Sequence, residues 1–458
     1  TFCKGLCNRL HAASTGGFPE KRGPCAAGAN FARGVLLLGE RWEDYIMKSV
    51  VSVVALVAAA LLGSTSVRAA DVEVIHWWTS GGEQAAVSVF AREFDALGGD
   101  KWVDTAIAGG ENARSATLQR ILGGDPPGAA QFNPGRQYEE LIAGNMLLDL
   151  TDLATKENWA GFIRPASISE ACLVDGHWWC VPVNIHSWNW AWASIPAFEK
   201  AGVPLPTSFD DFLAEAPKIK EAGIIPFAIG GESWQINGAF GVIQTSLLGL
   251  EKREKILKDK DLELAKAEMP AVFEKFRQFK QFSDAGSANR NWNDTTNLVV
   301  TDQAALQIMG DWARGEFGVA GEKAGVDYAC LALPIDHPTV STGGDIFLFP
   351  KQSDPAVEAA QLKMASMMVN PQVQALFNNA KGSMPIRDDV DMSLADDCMK
   401  RGLEIIKDPA NIAVDAGRWQ SNDTTGQMND LVAQFWADDS MTAAAAAEQY
   451  VTILQNAD

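Results

Sequence analysis

Histidine is nearly missing from this chain: there are five in 458 residues, and only His76, His177, His186 and His337 lie beyond residue 70. An enzyme that depends on histidine as general base or metal ligand is hard to build from so few. No G-x-S-x-G, H-E-x-x-H, P-loop or G-x-G-x-x-G stands in the strand–turn–helix context its chemistry needs. No catalytic residue, cofactor or metal is therefore assigned. Basic residues are also in short supply, with 38 Lys plus Arg against 58 Asp plus Glu and a formal charge of −20. Such a surface repels phosphate backbones and anionic lipid, which argues against nucleic-acid binding. Beyond residue 70 no segment approaches 18 consecutive apolar residues, so no spanning helix is expected there. Tyrosine is rare with four residues, whereas tryptophan is abundant with 15. The rest, 47% apolar with 40 Gly and 20 Pro, is ordinary for a globular chain with two or three domains' worth of core.

Residues 1–46 lack a starting Met and show little periodicity. Met47 then opens MKSVVSVVALVAAALLGSTSVRAADVEV. Lys48 is a short positive n-region, Val50 to Leu62 an apolar h-region, and Val67-Arg68-Ala69 a small-x-small cleavage site. The expectation is a mistranslated or unstructured upstream extension over 1–46 and a cleavable secretory signal peptide over 47–70. No lipobox Cys follows the h-region, so the product is expected to be freely soluble in the periplasm. The mature chain would carry 30 basic against 54 acidic residues, near −24. Cys172, Cys180, Cys330 and Cys398 remain in it, and four cysteines in an oxidising compartment allow three connectivities. Cys172 and Cys180 flank LVDGHWW, a hairpin with a DG turn signal. That favours a 172–180 bridge and leaves 330–398 by elimination.

Asp71 to His76 alternates with period two and reads as a strand. A helix follows from about Glu83 to Leu97, with Ala86, Val89, Phe90, Phe94 and Leu97 as its apolar stripe. Trp102 to Ala108 reads as a second strand, Asn112 as the N-cap of a helix to Leu122, Gly128 to Phe132 as a buried strand, and 136–144 as a helix. This alternation predicts an α/β sheet covered on both faces. Farther on, 207–220 reads as a helix, 224–229 as a strand, and 251–282 as a long helix with a break or kink at Pro270. Ala304 to Met309 and Tyr328 to Leu333 read as buried strands, and the last seventy residues as mostly helical. No repeat or long linker separates independent domains, so two lobes sharing a crossing chain fit best.

Trp77 and Trp78 end the first strand directly before Thr79-Ser80-Gly81-Gly82-Glu83 at a helix start. Ligands bind beside the carboxyl ends of strands in open α/β sheets. Adjacent indoles on a strand point to opposite faces, so one enters the core and the other stands in a cleft. Indole faces stack on the C–H faces of pyranose rings, and carboxylates such as Glu83 accept the ring hydroxyls. The bland alternative is two core tryptophans and a Glu favoured by the helix dipole. Gln131, Asn184, Trp188, Trp190, Trp192, Trp234 and Trp292 recur in loop or strand-end settings, with Trp190 and Trp192 read as core. Asp311 and Asp345 sit beside glycines at strand edges.

HWWTSGGE, VPVNIH, GGESWQ, IMGDW, GGDIFLFPK and KGSMPIR occur in this order over essentially all of residues 71–458. Together they resemble the extracellular solute-binding proteins of carbohydrate ABC transporters (family 1), and the paired Trp followed by Glu resembles the glucose/mannose-binding branch. The resemblance implies an α/β type II periplasmic-binding-protein fold, with two lobes, several hinge crossings and a ligand cleft between them. Lobe one would comprise about 71–186 plus 344–383, and lobe two 187–343 plus 384–458. Crossings would fall near Asn184–Trp188, Thr342–Asp345 and Ser383–Arg387. The ligand set implied is Trp77, Trp78, Glu83, Gln131, Asn184, Trp234, Trp292, Asp311, Asp345 and Lys381. Some glucose binders carry a His in a loop before the last helices, where this chain reads AVDAGRW over 413–419; Asp415 in its place would exchange a donor-or-acceptor for an acceptor.

The expected role is a monomeric receptor that closes around a small-molecule sugar and presents it to permease subunits. The alternatives are a polyol ligand, or a secreted glycoside-active enzyme using two carboxylates such as Glu83 and Asp345. Replacing Trp78 or Asp345 by Ala is expected to remove affinity and leave the fold intact.

Overall fold

In the computed structural model, which describes residues 69–457, the strand β1 (Asp71–His76) buries Val72, Val74 and Ile75. The upstream extension and nearly all of the expected leader lie outside the described residues. The next helix, α1 (Gly81–Ala96), starts with a capping box: the Ser80 hydroxyl accepts from the Glu83 amide, and the Glu83 carboxylate accepts from the Ser80 amide. Its buried stripe is Ala86, Val89, Phe90 and Phe94. With β2 (Lys101–Ala106), α2 (Gly110–Leu122) and β3 (Ala129–Phe132), it makes a parallel unit with β1 in the middle.

After several short helices come β4 (Cys180–Pro182), β5 (Trp190–Ser194), α3 (Phe209–Glu221), β6 (Ile225–Ala228) and α4 (Ser233–Leu257). Then follow α5 (Leu262–Lys280), α6 (Trp292–Val300), β7 (Ala304–Ile308), α7 (Ala313–Ala320), β8 (Tyr328–Ala332) and β9 (Ile346–Leu348). The chain finishes with α8 (Pro355–Met368), α9 (Pro371–Lys381), α10 (Asp397–Ile405), α11 (Asn422–Ala437) and α12 (Ala443–Asn456).

Two main sheets result, ordered β2-β1-β3-β9-β4 and β8-β5-β7-β6. Each is mixed rather than purely parallel: β9 runs antiparallel to β3 and β4, and β5 antiparallel to β8 and β7. The first sheet's core centres on Trp78, Phe90, Phe347 and Phe377, with Phe90 stacked 4.0 Å from Phe377. The second is filled by Phe240, Phe273, Phe276, Phe279, Phe435 and Tyr450 from α4, α5, α11 and α12. Each such ring contributes roughly 1.5–3 kcal/mol by leaving water.

The chain passes between the sheets in the segments 183–189 and 333–345, and again after α9. These passages lie side by side: Ile185 pairs with Met384, and His186 with Gly343. Both disulfides are formed, Cys172–Cys180 across a hairpin and Cys330–Cys398 between β8 and α10. Among the described residues no helix is long and apolar enough to cross a membrane.

Several boundaries differ from expectation. The long helix over 251–282 is two helices, broken where the Asp261 side chain caps the Leu264 amide and Lys260 takes φ 53°. Pro270 sits inside α5 without ending it. Asn112 is not an N-cap; α2 begins after Gly109, whose φ of 86° suits glycine, and Asn112 donates to the Ala108 carbonyl. The helix expected over 136–144 is only five residues, Glu139–Ala143.

Candidate functional site

Buried polar side chains converge where the passages meet. Asn184 and His186 come from the first passage, Asp345 from the second, and Asp311 from the turn after β7. Gln131 reaches them from β3. The Asp345 carboxylate accepts from Gln131 Nε2 at 2.7 Å and Asn184 Nδ2 at 2.8 Å, and lies 3.1 Å from His186 Nε2. Its own amide donates to Asn184 Oδ1 at 2.6 Å. His186 Nδ1 is 2.5 Å from Asp311 Oδ1, while Asp311 Oδ2 accepts from the Ser187 amide.

Burial works against the charged form of both His186 and Asp345, and their neighbours outweigh it. The Asp311 charge, opposed by Lys381 and helped by hydrogen bonds to Asp311 and Asp345, raises the imidazole above its ordinary pKa. The His186 hydrogen bond and charge, with Lys381 and Asn184, hold Asp345 at about 2. The raised pKa favours the protonated form of His186, whose Nδ1 faces Asp311 while Nε2 lies 3.1 Å from both Asp345 Oδ2 and Asn184 Nδ2. Carboxylates offer about four acceptor sites each. Asp345 and Asp311 therefore keep acceptor capacity beyond these partners.

A second pair lies beside this network. Glu83 Oε2 accepts from the Thr79 and Ser80 amides, while Oε1 lies 3.6 Å from the Lys381 ammonium. Glu83 is therefore both the helix-start residue of the bland alternative and a partner of Lys381. That ammonium stands 5.7 Å over the Trp78 ring and 6.0 Å over Trp312.

The two paired indoles separate as alternation requires. Trp78 is 1% exposed, packed on Phe347 and Phe377, and among the described residues its indole N–H has no hydrogen-bond partner. Its burial corrects the expectation that Trp78→Ala would leave the fold intact. Trp77 is half-buried against Gly110 and Arg114, and its amide donates to Gln131 Oε1.

Trp234, 37% exposed in the first turn of α4, joins Trp188 and Trp312 in a three-indole cluster with centroids 4.8–6.2 Å apart. Trp312 also meets His186 edge-on at 5.0 Å. Trp292 begins α6 and is buried. Among the described residues, no hydrogen bond or ring contact joins it to the network. Trp190 and Trp192 are core residues, as read from the sequence. Asp415 caps its own turn through the Gly417 amide and approaches Gly343 at the second passage.

His186, Trp312 and Glu316 escaped sequence reasoning. His186 and Trp312 lie inside the quoted VPVNIH and IMGDW segments, so scarce His and abundant Trp were the signals available. Glu316 accepts from the Ser80 hydroxyl and the Gly82 amide, and nothing local marks it.

A family model described as bacterial extracellular solute-binding protein matches residues 78–375. The chain is 36% identical over 351 residues to a "Probable sugar-binding periplasmic protein" of Rhizobium meliloti (strain 1021), covering 76% of this chain and 84% of that one. A protein of the same description from Brucella suis biovar 1 (strain 1330) is 37% identical over 341 residues, covering 74% and 80%. Among solved structures, the bacterial solute receptor AcbH, described as having an exclusive substrate preference for β-D-galactopyranose, superposes with a TM-score of 0.71 at 18% identity, covering 84% of this chain and 99% of that one.

Proposed function

The chain belongs to the bacterial extracellular solute-binding protein family, and from that premise we propose that it is the periplasmic sugar receptor of an ABC importer. Its fold is the two-lobed type II periplasmic-binding-protein fold, mixed α/β with repeated crossings between lobes. The ligand is a neutral monosaccharide of the glucose or mannose kind, released to membrane permease subunits by a monomeric receptor. The description of its relatives as sugar-binding periplasmic proteins supports a sugar and a periplasmic setting. The leader-like run after Met47 supports export.

The observation that carries this reading is the buried set Gln131, Asn184, His186, Asp311 and Asp345 at the junction of the passages, beside Glu83 and Lys381. Fixed carboxylates accept sugar hydroxyl protons, and the amides and Lys381 donate to sugar oxygens. The unpartnered indole N–H of Trp78 supplies one more donor. Trp188, Trp234 and Trp312 supply apolar faces for a pyranose ring. Closing the lobes excludes water and strengthens each of these contacts. Micromolar binding corresponds to roughly 8 kcal/mol.

A glycosidase reading gains no support from Asp345. Of the two carboxyls such an enzyme needs, one holds its proton as general acid and the other is ionised. Asp345, held at about 2, does not fit the acid, and its low pKa alone does not separate the ionised role from a sugar acceptor. The test is a thermal-shift and calorimetric panel of hexoses, pentoses, polyols and disaccharides, with oligosaccharides assayed for products. Binding of a hexose without turnover supports the receptor. Silence across the whole panel, or hydrolysis, overturns it.

A further inference from the structure

The helix α7 belongs to the second sheet's lobe, since Phe317 stacks 4.1 Å from Tyr328 on β8 and packs on Trp192 of β5. Its other side meets two helix ends of the first lobe. Glu316 Oε1 accepts from Ser80 Oγ at 2.6 Å and from the Gly82 amide at 2.8 Å, at the N-terminus of α1. Two residues earlier, Arg314 donates to the carbonyls of Asn378 and Gly382 at 3.1 and 3.2 Å, at the C-terminus of α9. Anchorage within its own lobe comes from Asp396, the N-cap of α10, at 2.9 Å.

An anion thus faces a helix N-terminus and a cation a helix C-terminus, the favourable sign in both cases. The seam is glycine-lined from both sides. A Cβ on Gly82 would lie 2.7 Å from the Gly315 carbonyl carbon, and one on Gly315 2.9 Å from the Ala380 carbonyl oxygen. The two helices gripped this way carry Glu83 in the first turn of α1 and Lys381 at the end of α9.

We propose that Glu316 and Arg314 form an interlobe latch that holds the closed form by gripping the two first-lobe helix ends that carry Glu83 and Lys381. They act as positioning residues that set affinity without touching ligand. The consequence for affinity rests on the receptor reading; the mechanical claim does not. A receptor whose competent state is less populated binds more weakly by that same fraction, whichever sugar is offered.

The test places spin labels at Leu122→Cys on lobe one and Leu247→Cys on lobe two, 68% and 42% exposed, and measures the interlobe distance. Glu316→Ala is expected to populate longer distances than wild type. Glu316→Gln keeps the acceptor oxygen and should fall between the two. Gly82→Ala, which wedges the seam, should lengthen the distance independently.

Where a sugar binds wild type, Glu316→Ala should weaken it on the order of tenfold, through faster dissociation and by the same factor for every sugar bound. Unchanged distances in both Glu316→Ala and Gly82→Ala overturn the latch, as does a changed ranking of sugars. If wild type binds no sugar, the receptor reading fails separately and the distance measurement still decides the latch.

Discussion

His186 Nε2 lies 3.1 Å from Asp345 Oδ2, with both side chains buried, so the first passage between lobes is tied to the second by an ion pair. The same imidazolium also holds Asp311, and the three groups stand or fall together. Burial works against the charged forms of His186 and Asp345, and the charges and hydrogen bonds of their neighbours outweigh it in both. Ionised carboxylates are what a neutral polyhydroxylated ligand needs as acceptors.

Asp345→Asn keeps the shape and one acceptor oxygen but removes the charge. Sugar affinity should fall about ten- to hundredfold, since a hydrogen bond to a charged group contributes roughly 1.5–3 kcal/mol. Stability should fall as well, because His186 would face an uncharged partner; removing one member of a buried pair costs about 3–5 kcal/mol. Calorimetry and urea unfolding measure the two effects. Wild-type affinity in Asp345→Asn would remove this residue from the site.

Stability should depend on pH in two windows. The folded His186 pKa is raised, so its contribution is complete below the unfolded value of about 6.5. It disappears as pH rises through the folded value, because the native state holds a proton that the unfolded chain has released. The folded Asp345 pKa is lowered from 3.8 to about 2. Its contribution is present above the unfolded value and disappears as pH falls through about 2. The stability difference between wild type and His186→Gln should therefore narrow from pH 6 toward alkaline pH. Urea midpoints taken across that range decide it, and a gap that widens would contradict the assignment.

Trp78→Ala should destabilise the first lobe by about 3–5 kcal/mol, the range for emptying a large core site, because the ring packs on Phe90, Phe347 and Phe377. Lost binding in that variant would say little about ligand contact. Trp78→Phe is the sharper probe: it retains most of the packing and deletes the unpartnered N–H. Sugar affinity should drop severalfold while the unfolding midpoint moves less than in Trp78→Ala. Unchanged affinity would show that this N–H meets no ligand.

Local pattern made β1, α1 and the Cys172–Cys180 hairpin legible, because each is specified by residues a few positions apart. Alternation also showed that Trp77 and Trp78 diverge. It could not say which one enters the core, since that depends on Phe347 and Phe377, hundreds of residues away. His186 and Glu316 were invisible for the same reason: their partners Asp311 and Ser80 lie 125 and 236 positions distant. The break between α4 and α5 was missed because the charged, helix-favouring run 251–268 continues through it, and only the side-chain cap at Asp261 marks the new start.

The two disulfides should differ in worth. Cys330–Cys398 closes a separation of 68 residues and Cys172–Cys180 one of 8. By loop-closure entropy the longer bridge contributes about 4 kcal/mol and the shorter about 2–3 kcal/mol. The longer one also fixes α10 to β8, and Asp396 at the start of α10 holds Arg314 on the seam between lobes. Replacing Cys330 and Cys398 together by Ser should therefore lower unfolding stability more than replacing Cys172 and Cys180, and should weaken sugar binding under conditions where the protein remains folded. Denaturant unfolding and calorimetry on the two double variants measure this. A larger stability loss from the short bridge would show that local strand pairing, and not chain closure, dominates at these sites.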